Sequence, residues 1–226
     1  MLGLVHPQPQ AEIRSKILSY GQHLNDAVDR HRTTPSNWHT TLLLALAGEL
    51  LFNSMEVLQG ETDGNCCRSA WGARNLLELH YWVRFITTSR ENSRRFHEDM
   101  VCDYQDLLKQ TGNEPGLEEL IRNSKLVLDE AWSRLEEVKL GNKRLTVLQI
   151  AKDFSDEVGY RKVNKLLSKF VHPTSLSIQL RLMPPILVAF IVPTILQIGA
   201  LIIERTYPVL TRALNEHSPG ITQRQE

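Results

Sequence analysis

The stretch from Ala73 to Trp82, "ARNLLELHYW", holds three side chains that can take part in chemistry. Arg74 and Glu78 are four residues apart, a spacing at which two side chains of one helix can form an ion pair. His80 ionises near neutral pH and can give or take a proton. Two hypotheses follow: Arg74 and Glu78 belong to a polar cluster, or Arg74 and His80 act together as catalytic residues.

Helical geometry separates these two hypotheses. At about 100° per residue, Arg74, Glu78 and Tyr81 fall within a narrow stripe, whereas His80 lies roughly 120° away from Arg74. In an unbroken helix Arg74 and His80 therefore do not share a face. The opposite side is apolar and is predicted to be packed, through Leu76, Leu79, Val83 and Ile86. We expect the Arg74 stripe to face another helix.

A second polar row lies in "YRKVNKLLSKFVHP", where every fourth residue is polar. It ends on His172 at a helix C-terminus, a position that favours the protonated imidazole, and Glu78 is the carboxylate that we expect it to contact. The two rows predict one polar cluster, formed by Arg74, Glu78, Tyr81, Tyr160, Asn164, Ser168 and His172. The alternative is a polar layer that only fixes the register of the helices.

Several motifs with known chemistry do not occur in the sequence. There is no Cys-x-x-Cys, His-Glu-x-x-His, Glu-x-x-His, Gly-x-Ser-x-Gly, P-loop or dinucleotide glycine pattern. Glu-x-x-His is the spacing that di-metal helical bundles use to place carboxylate and imidazole on one inner face. We therefore expect neither a metal site nor a cofactor.

Hydrophobic spacing is helical almost throughout the chain and predicts an all-α fold. We expect a single bundle of about seven helices over residues 1–215, with a long apolar C-terminal helix and a flexible tail over 216–226. The first helix, 11–32, could lie at the periphery. The predicted helical segments are Ala11 to Arg32, Ser36 to Leu58, Asn65 to Thr88, Glu91 to Gln110, Leu117 to Leu140, Thr146 to Phe154, Glu157 to Val171, and a last one from Ile186.

The segment "ILVAFIVPTILQIGALII", Ile186 to Ile203, carries no charge. Its length is at the lower edge of what spans a bilayer, ~18–20 residues. Pro193, Gln197 and Gly199 interrupt it, and no Lys/Arg cluster flanks it. We expect a buried helix, kinked at Pro193. A membrane span, which would make the protein a membrane-attached sensor, is the alternative.

Charge and cysteine content bound the class of protein. Of the 226 residues, 26 are Lys or Arg and 26 are Asp or Glu, so the net charge is zero and no overall field attracts nucleic acid or anionic lipid. The three cysteines lack the spacing of a disulfide framework or zinc site. The N-terminus has no basic region followed by an apolar run, as a secretory signal would have. We expect a cytoplasmic location.

The two polar rows together resemble a family of bacterial all-helical proteins known as a domain of unknown function. Its pattern pairs an Arg-x-x-x-Glu helix with a later Tyr and Leu-Ser-x-x-x-His-Pro. The matching residues are Arg74, Glu78, Tyr160, Leu167, Ser168, His172 and Pro173, and the similarity covers about Leu42 to Leu201. The resemblance implies an all-helical fold and supplies no activity.

A partial resemblance to HEPN-type ribonucleases covers Arg74, Asn75 and His80. It implies metal-independent RNA cleavage, as in a toxin or defence effector, with Arg74 holding the scissile phosphate and His80 handling a proton. In that family the motif stands near the start of a late helix, where a non-helical turn lets both side chains converge. Here only Gly72 could break the helix before Arg74, and three or more helices follow.

These observations lead to one principal expectation about function. The protein is expected to be a helical module that binds a small ligand or a protein partner through the polar cluster, with room for a homodimer because some helices are apolar on two sides. RNA is a partner only under the ribonuclease hypothesis, and a membrane only if residues 186–203 span one.

Overall fold

The computed structural model describes residues 9–32, 38–111, 144–172 and 185–216, together with positions 119, 122, 123 and 126. These residues are helical apart from short turns, so the predicted all-α, multi-helix fold is confirmed. The helices are α1 (Gln10–Arg32), α2 (Trp38–Thr62), α3 (Cys66–Thr88), α4 (Arg90–Thr111), α5 (Val147–Asp153), α6 (Glu157–Val171) and α7 (Pro185–Glu216).

Most helix boundaries lie within two residues of the prediction. One helix is longer than expected, since α2 continues past Leu58 to Thr62. Helix α7 ends at Glu216, where the tail was predicted to begin, and contains Pro193 and Pro208. The turn after α2 comes only at Gly64, whose positive φ of 64° suits a glycine. The predicted Ser36 cap, most of the Leu117 to Leu140 helix and the tail beyond Glu216 lie outside the described residues.

The chain forms two compact units, Met1–Thr87 with Val147–Glu226, and Thr88–Thr146. In the first unit, α1, α2 and α7 pack against one another in pairs. Each helix buries a row of aliphatic side chains, which makes α1 part of the core. These rows are Ile13, Ile17 and Leu24 in α1, Leu43, Leu50 and Val57 in α2, and Ile195, Leu196 and Ile203 in α7.

Helices α2 and α3 approach closely at Gly72. A Cβ atom there would lie 2.8 Å from the carbonyl oxygen of Asn53 and 3.0 Å from the backbone nitrogen of Val57. One turn earlier, the Ser69 hydroxyl donates to the carbonyl oxygen of Val57 at 2.7 Å. The lack of a side chain at Gly72 therefore sets the distance between the two helices and the side chains that meet across them.

Helices α5 and α6 are joined by a tight turn. The backbone N–H of Ser155 bonds to Lys152 and that of Asp156 to Ala151, which closes α5 with a Schellman motif. Ser155 takes the left-handed position, with φ 56°. The guanidinium carbon of Arg84 in α3 lies 4.1 Å from the centroid of the Phe154 ring, so a cation–π contact fixes this turn against α3.

The second unit contains α4 and a short segment that precedes α5. The Asp99 carboxylate accepts a hydrogen bond from the backbone N–H of Leu145 at 3.0 Å, and Arg144 forms ion pairs with Asp103 and Asp106. Desolvation raises the pKa of Asp99. Asp99, Asp103 and Asp106 of α4 therefore hold the segment at Arg144 and Leu145 within the same unit.

Among the helices that the structure describes, two are long and apolar enough to cross a membrane, judged by length and composition. They are Trp38–Thr62 and Ala189–Glu216, with mean hydropathies of 1.5 and 1.4. In each, 44% of the most apolar window is buried inside the protein. The second includes part of the segment singled out in the sequence, and the cytoplasmic location stays a prediction.

Candidate functional site

Arg74 lies on the side of α3 that faces α6, as the helical stripe predicts. Its Nε donates to Oδ1 of Asn164 at 3.2 Å, and its Nη2 lies 3.4 Å from Oε1 of Glu78. The side chains of Arg74 and Glu78 are 28% and 35% exposed, so this pair sits at the rim between the helices and in contact with solvent. The structure thus joins the two polar rows through one guanidinium group.

His172 ends α6, where its backbone N–H bonds to the carbonyl oxygen of Ser168 at 3.3 Å. Its ring nitrogen Nε2 lies 3.5 Å from Nη1 of Arg74, and the expected contact with Glu78 stays a prediction. Because guanidinium can only donate, this contact requires Nε2 to accept, which a neutral imidazole can do.

Ser168 is half-buried on α6, one turn before His172. Its carbonyl oxygen accepts the hydrogen bond that closes the helix. A residue of any type at position 168 would make this backbone contact, so it assigns no role to the Ser168 side chain.

Tyr81 and Tyr160 form the buried end of the cluster, with their rings edge to face at 5.4 Å between centroids. Burial is the largest cause that raises the pKa of Tyr81, followed by its hydrogen bond to Asp156. Burial likewise raises the pKa of Tyr160, and the negative charge of Glu78 adds to the effect. Both phenols are therefore neutral at pH 7 and serve as hydrogen-bonding and packing groups.

Asp156 belongs to this site and was missed in the sequence. The hydroxyl of Tyr81 donates to its Oδ2 at 2.9 Å. Asp156 stands directly before α6, where an aspartate is typical of a helix cap, yet its side chain makes no cap bond. The position before α6 is the feature of the sequence that could have singled out Asp156. Only the packing of α3 against α6 shows that its carboxylate binds Tyr81 and does not cap the helix.

His80 lies on a different side of α3. Its ring is buried, and Nδ1 lies 2.9 Å from Oγ1 of Thr206 in α7. The Thr206 hydroxyl donates its proton to the carbonyl oxygen of Ile202 at 2.6 Å, so it accepts from His80, which places the imidazole proton on Nδ1. Burial, together with the positive charges of Arg84 and Arg205, lowers the pKa of His80 to about 4.

We call seven residues the polar cluster: Arg74, Glu78, Tyr81, Tyr160, Asn164, Ser168 and His172. Arg74 makes polar contacts with Glu78, Asn164 and His172, and the two tyrosines meet beneath them. His80 points to α7 and Arg74 to α6, so these two residues do not face a common space within the chain. The arrangement can hold a polar group at the rim of α3 and α6.

Among the described residues, no group of three or more His, Cys, Asp or Glu side chains could hold a metal ion. Comparison of the chain with protein-family models, with curated proteins and with solved structures finds no match. The resemblances to the bacterial domain family and to HEPN ribonucleases therefore stay predictions. We therefore propose a function from the distances and exposures of the polar cluster alone.

Proposed function

We propose that this protein is a binding module whose polar cluster holds the anionic group of a small ligand. The observation that carries this proposal is the incomplete bonding of Arg74. A guanidinium group has five N–H donors, and its three polar contacts to Glu78, Asn164 and His172 are all long, between 3.2 and 3.5 Å. Arg74 therefore keeps donors for a carboxylate or phosphate oxygen, which arginine binds in a fork geometry.

The charge of α6 supports an anionic ligand. Four cationic residues lie on its exposed side, Arg161, Lys162, Lys165 and Lys169, and no acidic residue occurs between residues 158 and 172. Arg161 is partly neutralised by Glu157, at 2.7 Å. In a chain with a net charge of zero, this makes a local positive field on the helix that carries Asn164 and His172.

A purely structural role explains the half-buried pair of Arg74 and Glu78 less well than ligand binding does. Ion pairs between exposed side chains contribute about 0–1 kcal/mol to stability, and the Arg74–Glu78 contact is both long and accessible to solvent. The buried end of the cluster, at Tyr81 and Tyr160, supplies the packing between α3 and α6. Arg74 and Glu78, at the rim between the two helices, are therefore available to bind a ligand.

The ribonuclease hypothesis has less support from the geometry. It needs Arg74 and His80 to act on the same phosphodiester, whereas the two side chains contact different helices. A histidine whose pKa is lowered to about 4 is a weak base and is rarely protonated at neutral pH. Metal-independent RNA cleavage that is lost in both Arg74→Ala and His80→Ala would support the ribonuclease over the binding module.

The binding proposal is tested by thermal unfolding with inorganic phosphate or glutarate, at an ionic strength kept constant with sodium chloride. A ligand that binds only the folded state raises Tm as its concentration increases. We expect this rise in the wild-type chain and its loss in Arg74→Gln. Arg212→Gln is the matched control, because it removes an exposed cation of α7 that belongs neither to the polar cluster nor to the cationic side of α6. An equal rise in Arg74→Gln contradicts the proposal.

A further inference from the structure

A cleft of about 230 Å³ opens between α2 and α3. We call it the α2–α3 cleft, and its lining residues are Glu49, Asn53, Asn75, Glu78, Leu79 and Trp82. It is smaller than the pockets of about 300–1,000 Å³ that hold drug-sized molecules. Its volume therefore suits a small ligand.

A chain of hydrogen bonds fixes the base of the cleft. Asn53 is 2% exposed, and its Nδ2 donates to the carbonyl oxygen of Glu49 at 2.8 Å and reaches Oε2 of the same residue at 3.4 Å. The Nδ2 of Asn75 in turn donates to Oδ1 of Asn53 at 2.9 Å. Asn53 is thus held in one orientation, and it turns the amide nitrogen of Asn75 inward.

This bonding pattern leaves the cleft rich in acceptors. With its nitrogen directed to Asn53, the Asn75 side chain offers Oδ1, and the carboxylates of Glu49 and Glu78 can only accept. The positive side chain nearest to Glu78 is Arg74, which directs its Nε away to Asn164 on α6. The lining residues themselves include no cation, but Glu78 is paired with Arg74 at 3.4 Å, so Glu49 supplies the negative charge that Arg74 does not pair.

The remaining lining is apolar and aromatic. Leu79 and Trp82 form this part, and tryptophan is the aromatic residue to which cations bind best. Carboxylates, a carbonyl oxygen and an indole around one small space are the groups that bind an ammonium or guanidinium ion attached to a short hydrocarbon chain. An anion would meet two carboxylates here, and a neutral apolar molecule would make no use of the Glu49 carboxylate or of Oδ1 of Asn75.

We propose that the α2–α3 cleft binds a small organic cation, with its charged nitrogen between Glu49, Glu78 and Oδ1 of Asn75 and its hydrocarbon part against Leu79 and Trp82. This site goes beyond the anion site of the polar cluster. It lies where α3 meets α2 and not where α3 meets α6, it selects the opposite charge, and the two sites share only Glu78.

The experiment uses the full chain labelled with ¹⁵N-tryptophan, which gives four indole signals, one for each tryptophan. The Trp82 signal is identified by its loss in Trp82→Phe. The probes are n-butylammonium and n-butylguanidinium, with n-butanol and butyrate as neutral and anionic controls. We expect a saturable shift of the Trp82 signal with the two cations and none with the controls. No saturable shift, or an equal one with n-butanol, overturns the proposal.

Charge variants locate the binding site. Loss of one charge-assisted contact worth about 1.4 kcal/mol weakens binding tenfold, which is the effect expected for Glu49→Gln. Glu49→Lys, which places a cation in the cleft, is expected to abolish binding. Glu12→Gln removes an exposed carboxylate of α1 that does not line the cleft, and it should change nothing. Equal weakening by Glu12→Gln would show nonspecific ionic attraction and overturn the proposal.

Arg74→Gln separates this proposal from that of the polar cluster. The variant removes the cation that competes for Glu78, so binding of n-butylammonium should stay unchanged or become tighter. The same variant is expected to lose the effect of phosphate or glutarate on Tm. Loss of cation binding in Arg74→Gln contradicts the cleft site, while the response to anions separately tests the cluster.

Discussion

The hydroxyl of Tyr81 in α3 donates a hydrogen bond of 2.9 Å to Asp156, the residue directly before α6. The carboxylate is thereby withdrawn from the role of helix cap. Tyr81 is 2% exposed, so its hydroxyl depends on this partner to stay satisfied in the protein interior. This bond fixes the start of α6 against α3 and so places Asn164 and His172 within reach of Arg74.

Removal of this hydroxyl tests its contribution. We expect Tyr81→Phe to lower the free energy of unfolding by about 1 kcal/mol, because one hydrogen bond is lost and Asp156 keeps access to water. Urea denaturation of Tyr81→Phe, Asp156→Asn and the double variant gives the coupling energy. Tyr160→Phe is the control, since its hydroxyl makes no hydrogen bond to the residues that the structure describes. Additive effects of Tyr81→Phe and Asp156→Asn would contradict the coupling.

The buried imidazole of His80 predicts a specific dependence of stability on pH. In the unfolded chain a histidine binds a proton near pH 6.5, whereas in the folded protein the pKa of His80 is lowered to about 4. Between these values the unfolded state binds more protons, so the free energy of unfolding falls as the pH falls from 6.5 to 4. The shift corresponds to about 3 kcal/mol, at 1.36 kcal/mol per pH unit.

Two variants isolate this contribution from that of the carboxylates. The loss of stability between pH 7 and pH 4 should be smaller in His80→Gln than in the wild-type chain, as measured by urea denaturation. His23→Gln removes an exposed histidine of α1 and should keep the wild-type dependence. Identical pH profiles for wild-type and His80→Gln would show that His80 takes up a proton freely in the folded state.

The close approach at Gly72 makes its replacement costly. A methyl group there would meet backbone atoms of Asn53 and Val57, which cannot move without separating α2 from α3. We expect Gly72→Ala to destabilise the protein by about 1–3 kcal/mol. At Gly48 in α2 an added Cβ meets nothing within 4 Å, so Gly48→Ala should stabilise by roughly 0.5–1 kcal/mol through helix propensity. Similar values for both variants in denaturant titrations would contradict this argument.

The left-handed position at Ser155 predicts a stabilising substitution. Its φ of 56° disfavours a residue with a Cβ atom, whereas glycine adopts this conformation readily at the end of a helix. We expect Ser155→Gly to raise the free energy of unfolding by about 0.5–1 kcal/mol. Ser155→Ala keeps the Cβ atom and should give no such gain. An equal gain in both variants would assign the effect to loss of the hydroxyl.

The location of the chain is tested by cell fractionation. We predict recovery in the soluble fraction, because α7 buries Ile195, Leu196 and Ile203 inside the protein and α2 buries Leu43 and Leu50. These side chains lie against protein in the bundle and would face lipid only if the helices separated. A chain that stays in the membrane fraction after a carbonate wash would support the alternative of a membrane-attached sensor, in which residues 186–203 span a bilayer.

The sequence by itself determined the helices and the faces on which their side chains lie. The 3.6-residue period places Arg74, Glu78 and Tyr81 on one stripe of α3 and moves His80 off it, whatever the helix packs against. The same period aligned Tyr160, Asn164 and His172 on α6. These relationships are local, because each depends only on the backbone geometry of one helix.

Only the tertiary structure decided which helices these faces meet. Arg74 and Asn164 are separated by 90 positions in the chain, and His80 and Thr206 by 126. Contacts at such separations depend on how whole helices pack, which is set by burial summed over many side chains and by close approaches such as that at Gly72. For this reason Asp156 could be placed before a helix from the sequence, while its bond to Tyr81 could not.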